Sequence, residues 1–263
     1  MNGQDRSPPF NAVILAGSRK GEIDPLAQSE GVAHKALIEL EGLPLLARVH
    51  AALKAAGADR IMIMADEPGV VKVARSLGAV VMAPQAGPSA SVAASFAELG
   101  APLLVTTSDH ALLRPRWVRT FIDSVPAGAE VAILMAPRAA VESALPGSKR
   151  TWLRFADGDW SGCNLFYLAQ DNAARAIASW EQVEADRKRP WRIALRIGLG
   201  TIWRYWRGHL TLAEAISRLG QTLGVRAAVV PAIDGLAAVD ADKPQDMEDI
   251  RALVSERRAG AGL

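Results

Sequence analysis

The chain has 263 residues, of which 50% are hydrophobic and 22% are charged, and its formal net charge is +2. This apolar content is enough for one sizeable core, so we expect a single domain over residues 1–263. The small net charge argues against a nucleic-acid partner, and any anion site must come from local clustering of cations. The single cysteine, Cys163, excludes an intramolecular disulfide and favours a cytoplasmic location.

Strand-like and helix-like segments alternate along the first half of the chain, after a polar, proline-containing stretch at residues 1–9 that predicts a flexible tail. The predicted strands are short apolar or β-branched runs at residues 10–16, 60–65, 79–83, 103–107 and 131–135. The predicted helices between them include residues 44–56 and 68–77. This alternation predicts an α/β fold with a mostly parallel central sheet flanked by helices. Ligands then bind beyond the carboxyl ends of the strands, in the loops after Ala16, Ala83 and Thr107.

The second half is less regular. Its predicted strands are residues 152–155, 164–168 and 225–230, and its predicted helices are residues 171–184, 191–207 and 211–223. Thr211, followed three residues later by Glu214, has the pattern of a capping box at the start of the last of these helices. We therefore expect a helical insertion over residues 186–223, and a closing helix after Asp246.

A small cationic loop follows the first predicted strand. Gly17 allows backbone N–H groups to approach phosphate oxygens, and Arg19 and Lys20 would neutralise the phosphate charge. The glycine patterns of dinucleotide-binding and P-loop proteins are both missing here. Taken alone, the loop is equally consistent with a surface turn whose cations are solvated.

The stretch "VILAGSRKG", followed by "HKALIEL", resembles the opening of MobA-like nucleotidyltransferases. The hallmark of that family is LAGG, an arginine, and then a lysine before an apolar strand. The resemblance implies a glycosyltransferase-A-like fold, Rossmann-like and of the nucleotide-diphospho-sugar transferase type. It implies catalytic roles for Arg19 and Lys35 at the phosphates. Ser18 departs from the pattern by replacing the second glycine, and the segment before Lys35 is longer than usual.

Three later segments match the same family. The match "GPSASVAASFAEL" implies that Gly87 and Ser91 lie near the nucleobase, although Ser89 or Ser91 is also a competent helix N-cap. Taken together, the implied nucleotide-binding residues are Leu15, Ala16, Gly17, Ser18, Arg19, Lys35, Gly87 and Ser91.

The match "LLVTTSDHALL" implies that Asp109, at a strand end, is catalytic and binds Mg²⁺, with Ala111 in the place of the usual proline.

The match "AAVDADKPQDMEDI" is close to the family's DxDxPxDL and implies Asp240 as the second metal ligand, with Asp242 as its competitor. Mg²⁺ commonly takes one or two carboxylates together with substrate phosphates, so two aspartates are enough. Read singly, Asp109 is also consistent with a helix cap, and the Asp240 segment with a charged turn.

The segment "PGSKRTWLRFADGDWSGCNLFYL" lies where related enzymes bind the second substrate. The implied substrate-binding residues are Lys149, Arg150, Gly162 and Asn164. Lys149 and Arg150 are suited to the phosphate of an acceptor, because cations bind a dianion well. The alternative is a hairpin with solvated charges. For Cys163 we expect a packing role, since no base lies near it in the sequence.

The predicted helix at residues 191–207 is rich in arginine and tryptophan. On a helical wheel its arginines lie on one side and most of its apolar and aromatic residues, including Tyr205 and Trp206, on the other. We expect the apolar side to pack on the domain or form a homodimer. The alternative is peripheral contact with an anionic membrane at the inner membrane face.

The resemblance implies a Mg²⁺-dependent nucleotidyltransferase. Such an enzyme would join an NTP, with CTP or GTP expected, to a phosphorylated small molecule such as a sugar phosphate, a polyol phosphate or a phosphoglycerate-like acid, and release pyrophosphate. Two other functions stay open at this point. One is a glycosyltransferase of the same fold that uses a nucleotide sugar. The other is a non-catalytic nucleotide-binding regulator, which the departures at Ser18 and Ala111 suggest.

Overall fold

The computed structural model of the protein describes residues 9–18, 24–185 and 198–261. Its centre is a mixed eight-stranded sheet with strand order β10-β7-β9-β6-β1-β4-β5, and β8 pairs with β9. A separate hairpin is formed by β2 and β3. The strands are β1 Phe10–Leu15, β2 Glu39–Leu40, β3 Leu43–Pro44, β4 Ala58–Met64, β5 Val80–Met82, β6 Leu103–Thr107, β7 Val131–Pro137, β8 Leu153–Phe155, β9 Gly158–Leu168 and β10 Ala227–Pro231.

Helices cover both faces of the sheet. They are α1 Pro25–Ser29, α2 Leu45–Ala55, α3 Pro68–Ser76, α4 Pro88–Leu99, α5 Pro115–Asp123, α6 Arg138–Ala144, α7 Ala173–Ala185, α8 Leu199–Trp206, α9 Leu212–Leu223 and α10 Pro244–Ala261, with short 3₁₀ turns at Lys35–Leu37 and Gly235–Ala238. The strands β1, β4, β5 and β6 pair in parallel, as do β7 and β10, while β9 is antiparallel to β6 and β7. The predicted α/β fold with a mostly parallel sheet is therefore confirmed.

The two faces of the sheet build two apolar clusters. Successive residues of β1 alternate between them, so that Val13 packs in one cluster and Ile14 in the other, and both are fully buried. Because both faces are covered, these strands read as continuous apolar runs, which is why the sequence identifies them well. Cys163 is 2% exposed and belongs to the larger cluster, so its expected packing role is confirmed.

Several boundaries differ from the prediction. Strand β9 begins at Gly158 rather than at residue 164, because its first half pairs with the short strand β8. Helices α5 and α6 are not predicted from the sequence, although α5 carries Pro115 in its first turn and buries Trp117 and Phe121 at a helical spacing. Its nine residues are too short for that spacing to stand out in sequence.

Within the range predicted as a helical insertion, the described residues form the helices α8 and α9. The capping box of α9 is confirmed, since Thr211 Oγ1 accepts from the Glu214 N–H at 3.2 Å and the Glu214 carboxylate accepts from the Thr211 N–H at 3.3 Å. Residues 186–197, including the first part of the predicted helix at 191–207, lie outside the described residues. Within the described residues, no helix has the length and apolar character needed to cross a membrane.

At the carboxyl end of α8 the apolar side does not pack on the domain, and the homodimer contact, which is the other expectation, stays a prediction. Tyr205 is 50% exposed and Trp206 is 82% exposed, whereas Thr201 is buried and Arg204 is held by an ion pair with Glu214. The helical wheel treats the helix in isolation and so cannot show that Glu214 neutralises one of its arginines.

Gly235 allows the turn after β10 to pack against α6. A Cβ atom at this position would lie 2.1 Å from the carbonyl oxygen of Ala140, which is backbone and cannot move aside easily. We expect Gly235→Ala to lower the free energy of unfolding by about 1–3 kcal/mol, measured by urea denaturation. Gly200→Ala is the matched control, because a Cβ there meets nothing within 4 Å, and it should raise stability by about 0.5–1 kcal/mol. Equal effects of the two changes would contradict this packing.

Candidate active site

The loop after β1 is fixed by the strands on both sides of it. The carbonyl of Leu15 accepts from the N–H of Ser108 at 3.0 Å, and the N–H of Ala16 donates to the carbonyl of Met64 at 3.0 Å. Ser108 is the residue directly before Asp109. Two of the segments that the sequence assigns to the site are therefore joined at the carboxyl edge of the sheet.

Gly17 and Ser18 are exposed at the end of this loop. A Cβ on Gly17 would lie 2.9 Å from the Cβ of Pro84, so the close approach of the β5–α4 loop favours glycine here. The backbone of Gly17 is accordingly open to a ligand on one side and supported by Pro84 on the other. Arg19 and Lys20 lie outside the described residues.

The next predicted segment, around Gly87 and Ser91, lies at the start of α4. Gly87 is the N-cap residue and has extended backbone angles that any residue can adopt. The Ser91 hydroxyl is buried and accepts from the N–H of Gln85 at 2.9 Å. Ser91 thus shapes the loop that supports Gly17, and its hydroxyl is already engaged with backbone.

The long segment between Gly17 and Lys35 is anchored at two points. Asp24 caps α1, its carboxylate accepting from the Leu26 N–H at 2.9 Å. Glu30, just after α1, receives two hydrogen bonds from the Arg251 guanidinium of α10, at 2.9 and 2.6 Å. The described part of this segment, from residue 24 onward, therefore includes a short helix tied to the last helix.

Lys35 begins the 3₁₀ turn Lys35–Leu37, and His34 caps that turn. The His34 Nδ1 accepts from the N–H of Ala36 at 3.0 Å. Burial, with a further contribution from the Lys35 charge, lowers the pKa of His34, so the ring is neutral and can accept this bond. The sequence motifs do not single out His34, because histidine is an uncommon cap. The signal available in the sequence was a ring nitrogen, directly before Lys35, that can accept a hydrogen bond from the backbone.

The Lys35 ammonium lies between two carboxylates. It forms an ion pair with Asp109 Oδ2, and its Nζ is 3.0 Å from Asp242 Oδ1. Burial by itself would lower the pKa of Lys35, but Asp109 and Asp242 together hold it above its usual value. Burial by itself would raise the pKa of Asp109, but the positive charge of Lys35 outweighs the effect of burial and lowers this pKa. Both groups are therefore ionised at neutral pH.

A backbone hydrogen bond brings the last site segment to Asp109. The carbonyl of Asp109 accepts from the N–H of Ala241 at 3.0 Å. Asp240 and Asp242 flank Ala241, so carboxylates more than 130 positions apart in the sequence come together beyond the carboxyl end of β6. The other oxygen of Asp109, Oδ1, is buried and has no hydrogen-bond partner among the described residues.

Asp240 is held by two residues that the sequence assigns to the acceptor. Arg150 forms an ion pair with its carboxylate and also donates to the Asp240 carbonyl at 3.3 Å, and Asn164 Nδ2 donates to Asp240 Oδ2 at 2.8 Å. Burial raises the pKa of Asp240, with Arg150 opposing this and the neighbouring carboxylates of Asp242 and Asp109 adding to it. Asp240 therefore lies among negative charges that its own partners do not fully balance.

Asn164 reaches Asp240 because of an irregularity in β9. The register between β7 and β9 shifts between Ile133 and Met135, and Asn164 has a φ of 50°, in the left-handed region. Bulges of this kind redirect a side chain, and asparagine adopts the left-handed conformation more readily than most residues. The exposed Gly162 lies opposite Met135, and a Cβ there would meet nothing within 4 Å, so this side of the site is open.

Lys149 and His110 are next in sequence to the site residues Arg150 and Asp109. Lys149 is exposed beside Arg150. His110 follows Asp109 but points into the core, 1% exposed, with its ring stacked on Trp117 at 6.4 Å. Burial lowers the pKa of His110 to about 4, although the Asp109 charge opposes the change. His110 is therefore a neutral packing residue.

The structure thus gathers most of the predicted residues at one edge of the sheet, beyond the carboxyl ends of β1 and β6 and beside β9. They are Leu15, Ala16, Gly17 and Ser18 in the first loop, Lys35, Asp109 and Asp240 at the centre, and Arg150, Gly162 and Asn164 on the β9 side. No group of three or more histidine, cysteine or acidic side chains in the described ranges is arranged to hold a metal. A cation here would use two carboxylates and oxygens of the substrate, as Mg²⁺ often does.

Comparison with known structures gives the same architecture. A hypothetical transferase from Thermus thermophilus is 30% identical, with a TM-score of 0.78, and the match covers 91% of this chain and 99% of that one. A nucleotidyl transferase from Methanothermobacter is 20% identical, with a TM-score of 0.56 and coverage of 95% and 99%. The CTP:phosphocholine cytidylyltransferase LicC from Streptococcus pneumoniae is 12% identical, with a TM-score of 0.58 and coverage of 94% and 100%. At these identities the last two show similarity of fold alone.

The chain has no significant match among curated proteins. The model of the MobA-like NTP transferase domain matches residues 12–189, which is more than half of the chain. The chain therefore belongs to the MobA-like NTP transferase domain family.

Proposed function

We propose that this protein is a Mg²⁺-dependent nucleotidyltransferase that joins CTP or GTP to a phosphorylated small molecule and releases pyrophosphate. The family transfers a nucleoside monophosphate from an NTP to a phosphorylated acceptor and typically uses a divalent metal. The observation that carries the proposal is the placement of Lys35 between Asp109 and Asp242, with Asp240 beside them, at the edge where the Gly17 loop is exposed.

The triphosphate would lie over the Gly17 loop. The backbone there is exposed, and its position is fixed by hydrogen bonds to β4 and to Ser108. Such a loop lets N–H groups reach phosphate oxygens with no side chain in the way. Lys35 supplies a positive charge that stays ionised through the neutral range, because Asp109 and Asp242 raise its pKa. Arg19, next to Ser18 in sequence, would add a second cation.

The residues present fit a divalent cation. Asp109 offers a buried carboxylate oxygen that lacks a hydrogen-bond partner within the described residues, and Asp240 offers a carboxylate whose negative surroundings are incompletely balanced. Hard cations prefer such oxygens. When bound, Mg²⁺ would neutralise charge on the triphosphate, and Asp109 and Asp240 would hold it.

The reaction needs positioning and charge stabilisation more than a covalent enzyme intermediate. An oxygen of the acceptor phosphate forms a bond to the α-phosphorus while the bond from that phosphorus to the pyrophosphate oxygen breaks. Lys35 stabilises the negative charge that is redistributed over the phosphates. Its flanking carboxylates keep it charged and in place.

The acceptor would enter from the β9 side. Lys149 is exposed and free to meet a dianion, and Gly162 leaves room beside it. Arg150 and Asn164 are bound to Asp240 in the structure, so they would act by orienting Asp240 as well as by contacting the acceptor. A sugar phosphate, a polyol phosphate and a phosphoglycerate-like acid all present the required dianion.

The test is a pyrophosphate-release matrix of the four NTPs against a panel of phosphorylated metabolites with Mg²⁺. We expect release with one NTP and one class of acceptor, and none when the acceptor phosphate is removed. A parallel reaction with nucleotide sugars should release no nucleoside diphosphate. Release of a nucleoside diphosphate from a nucleotide sugar would favour a glycosyltransferase. Tight NTP binding with no product for any combination of NTP and acceptor would favour a non-catalytic regulator.

Replacement of Lys35 should abolish most of the activity. We expect Lys35→Ala to lower the rate of pyrophosphate release by about 10²–10³-fold, because a charge-stabilising contact at the phosphates is lost. The matched control is Lys72→Ala on the exposed face of α3, which should behave as wild type.

Lys35→Ala also leaves the buried Asp109 carboxylate without its partner, which costs about 3–5 kcal/mol when a buried pair is broken. The double variant Lys35→Met/Asp109→Asn removes both charges and should recover unfolding stability while staying inactive. Recovery of activity together with stability would mean that neither Lys35 nor Asp109 takes part in the reaction.

Replacement of Asp240 should change the response to metal. We expect Asp240→Asn to raise the Mg²⁺ concentration needed for half-maximal activity by about 10–100-fold, since a metal-site carboxylate is lost. Asp123→Asn, at the exposed end of α5, is the control and should leave the Mg²⁺ curve unchanged. An unchanged curve for Asp240→Asn as well would remove Asp240 from the metal site.

A further inference from the structure

The segment that carries Lys35 and the segment that carries Asp242 are joined at two places. The first lies inside the candidate site, where the Lys35 Nζ is 3.0 Å from Asp242 Oδ1. At the second, the Arg251 guanidinium donates to both carboxylate oxygens of Glu30, at 2.9 and 2.6 Å. Glu30 comes five positions before Lys35, and Arg251 comes nine positions after Asp242. The two segments and their two contacts therefore form a closed frame around one side of the site.

The α10 side of this frame is fixed to the core. Met247 and Ile250 are fully buried in the larger apolar cluster. The carboxylate of Asp246 accepts from the N–H of Asp242 at 3.2 Å and so ties Asp242 to the start of the helix. Arg251 follows Ile250 directly in the same helix. The helix therefore sets the position of Arg251 relative to Asp242.

The side that leads to Lys35 starts from a short helix. Helix α1 has five residues, of which Leu26 and Ala27 are buried, and so short a helix needs tertiary contacts to form. Glu30 is its C-cap residue, and Gly31 follows in the left-handed conformation with a φ of 69°. The Arg251 guanidinium therefore holds the point at which the helix ends and the chain continues toward Lys35.

The contact between Glu30 and Arg251 has the geometry of a strong ion pair. Two guanidinium nitrogens donate to different oxygens of one carboxylate, which is the bidentate form, whereas exposed pairs with a single contact contribute little. The Glu30 side chain is 20% exposed, compared with 52% for Glu98 in its single contact with Arg60. The hydrogen bonds from Arg251 lower the pKa of Glu30, so this carboxylate is ionised at neutral pH.

We propose that Glu30 and Arg251 are positioning residues for the transfer reaction. This inference rests on the proposed function, in which Lys35 stabilises negative charge on the triphosphate. The pair fixes the Lys35 segment to α10 at a point outside the site. Lys35 is then presented to the phosphates in one position relative to the carboxylates that precede α10. An error of about 1 Å in the position of such a group can cost about 10²-fold in rate.

The external contact matters most when substrate is bound. The Lys35 ammonium would then be shared with phosphate oxygens, which weakens its contact with Asp242 inside the site. The Glu30–Arg251 pair takes no part in this exchange, because both of its members lie outside the site. It therefore keeps the two segments together at the stage when the contact between Lys35 and Asp242 is weakest.

The kinetic test is pyrophosphate release by Arg251→Gln, Glu30→Gln and the double variant. We expect each to lower kcat/KM for the NTP by about 10-fold and to leave the KM of the acceptor unchanged, because the acceptor enters from the β9 side. The double variant should be no worse than either single variant, since the two residues act as a pair. Arg251→Lys keeps the charge but loses the bidentate geometry, and it should recover part of the lost rate.

Arg60→Gln is the matched control, because it removes another exposed arginine–glutamate pair, between β4 and α4. Arg60 lies near the amino end of β4, whereas the site lies beyond the carboxyl ends of the strands. Its kcat/KM should equal that of wild type. Urea denaturation measures the loss of stability in both variants. The proposal is wrong if Arg251→Gln keeps the wild-type kcat/KM, or if its fall is explained by an equal loss of folded protein under the assay conditions.

Amide hydrogen exchange of the unliganded protein tests the positioning without any activity. The N–H of Leu37 donates to the His34 carbonyl at 2.9 Å, within the turn that carries Lys35. We expect Arg251→Gln to speed exchange of this amide by about 10-fold and to leave the amides of β1 unchanged. Equal exchange in variant and wild type would overturn the proposal. A wild type that releases no pyrophosphate with any acceptor contradicts the proposed function instead, and exchange then decides the positioning by itself.

Discussion

The buried ion pair between Lys35 and Asp109 is the interaction on which the rest of the site depends. Asp109 lies at the end of β6 with its side chain only 7% exposed, and an uncompensated carboxylate in such a place is strongly unfavourable. Lys35 provides the opposite charge, and the short turn capped by His34 places it there. The same ammonium reaches Asp242, so one cation links the segment after β1, the end of β6 and the segment after β10.

The candidate site carries more negative than positive charge. Three carboxylates converge, but Lys35 and Arg150 are the only cations that pair with them among the described residues. The burial and negative surroundings that raise the pKa of Asp240 are those a divalent cation would relieve. Removing the lysine would leave carboxylates that repel one another in a confined space.

Backbone geometry supports this arrangement at a distance from the charges. The shift in register within β9 turns Asn164 toward Asp240, and the turn at Gly235 packs so closely on α6 that only a hydrogen fits in place of a side chain. Both features determine where a segment of the backbone lies. They bring the segment after β10 to a place where the N–H of Ala241 can bond the Asp109 carbonyl, and the two aspartates then meet.

The sequence by itself determined the fold class and most of the site segments. Strands covered on both faces appear as apolar runs, and the glycine, lysine and aspartate positions follow family motifs that are local in sequence. Local patterns also gave the capping box at Thr211 and the packing of Cys163. They did not predict α5 and α6, because the apolar side of so short a helix can be recognised only when the surface that it covers is known.

Only the tertiary structure decided which groups pair. Sequence analysis assigned Arg150 and Asn164 to the acceptor, whereas in the folded chain both hold Asp240, and Asp242 binds Lys35. The pattern of α8 also left open whether its apolar side packs on the domain or meets a second copy, and the structure exposes Tyr205 and Trp206 in the single chain. The physical reason is common to these cases. Ion pairs and burial depend on residues that are remote in sequence and become neighbours only after the sheet has assembled, so no local pattern can specify them.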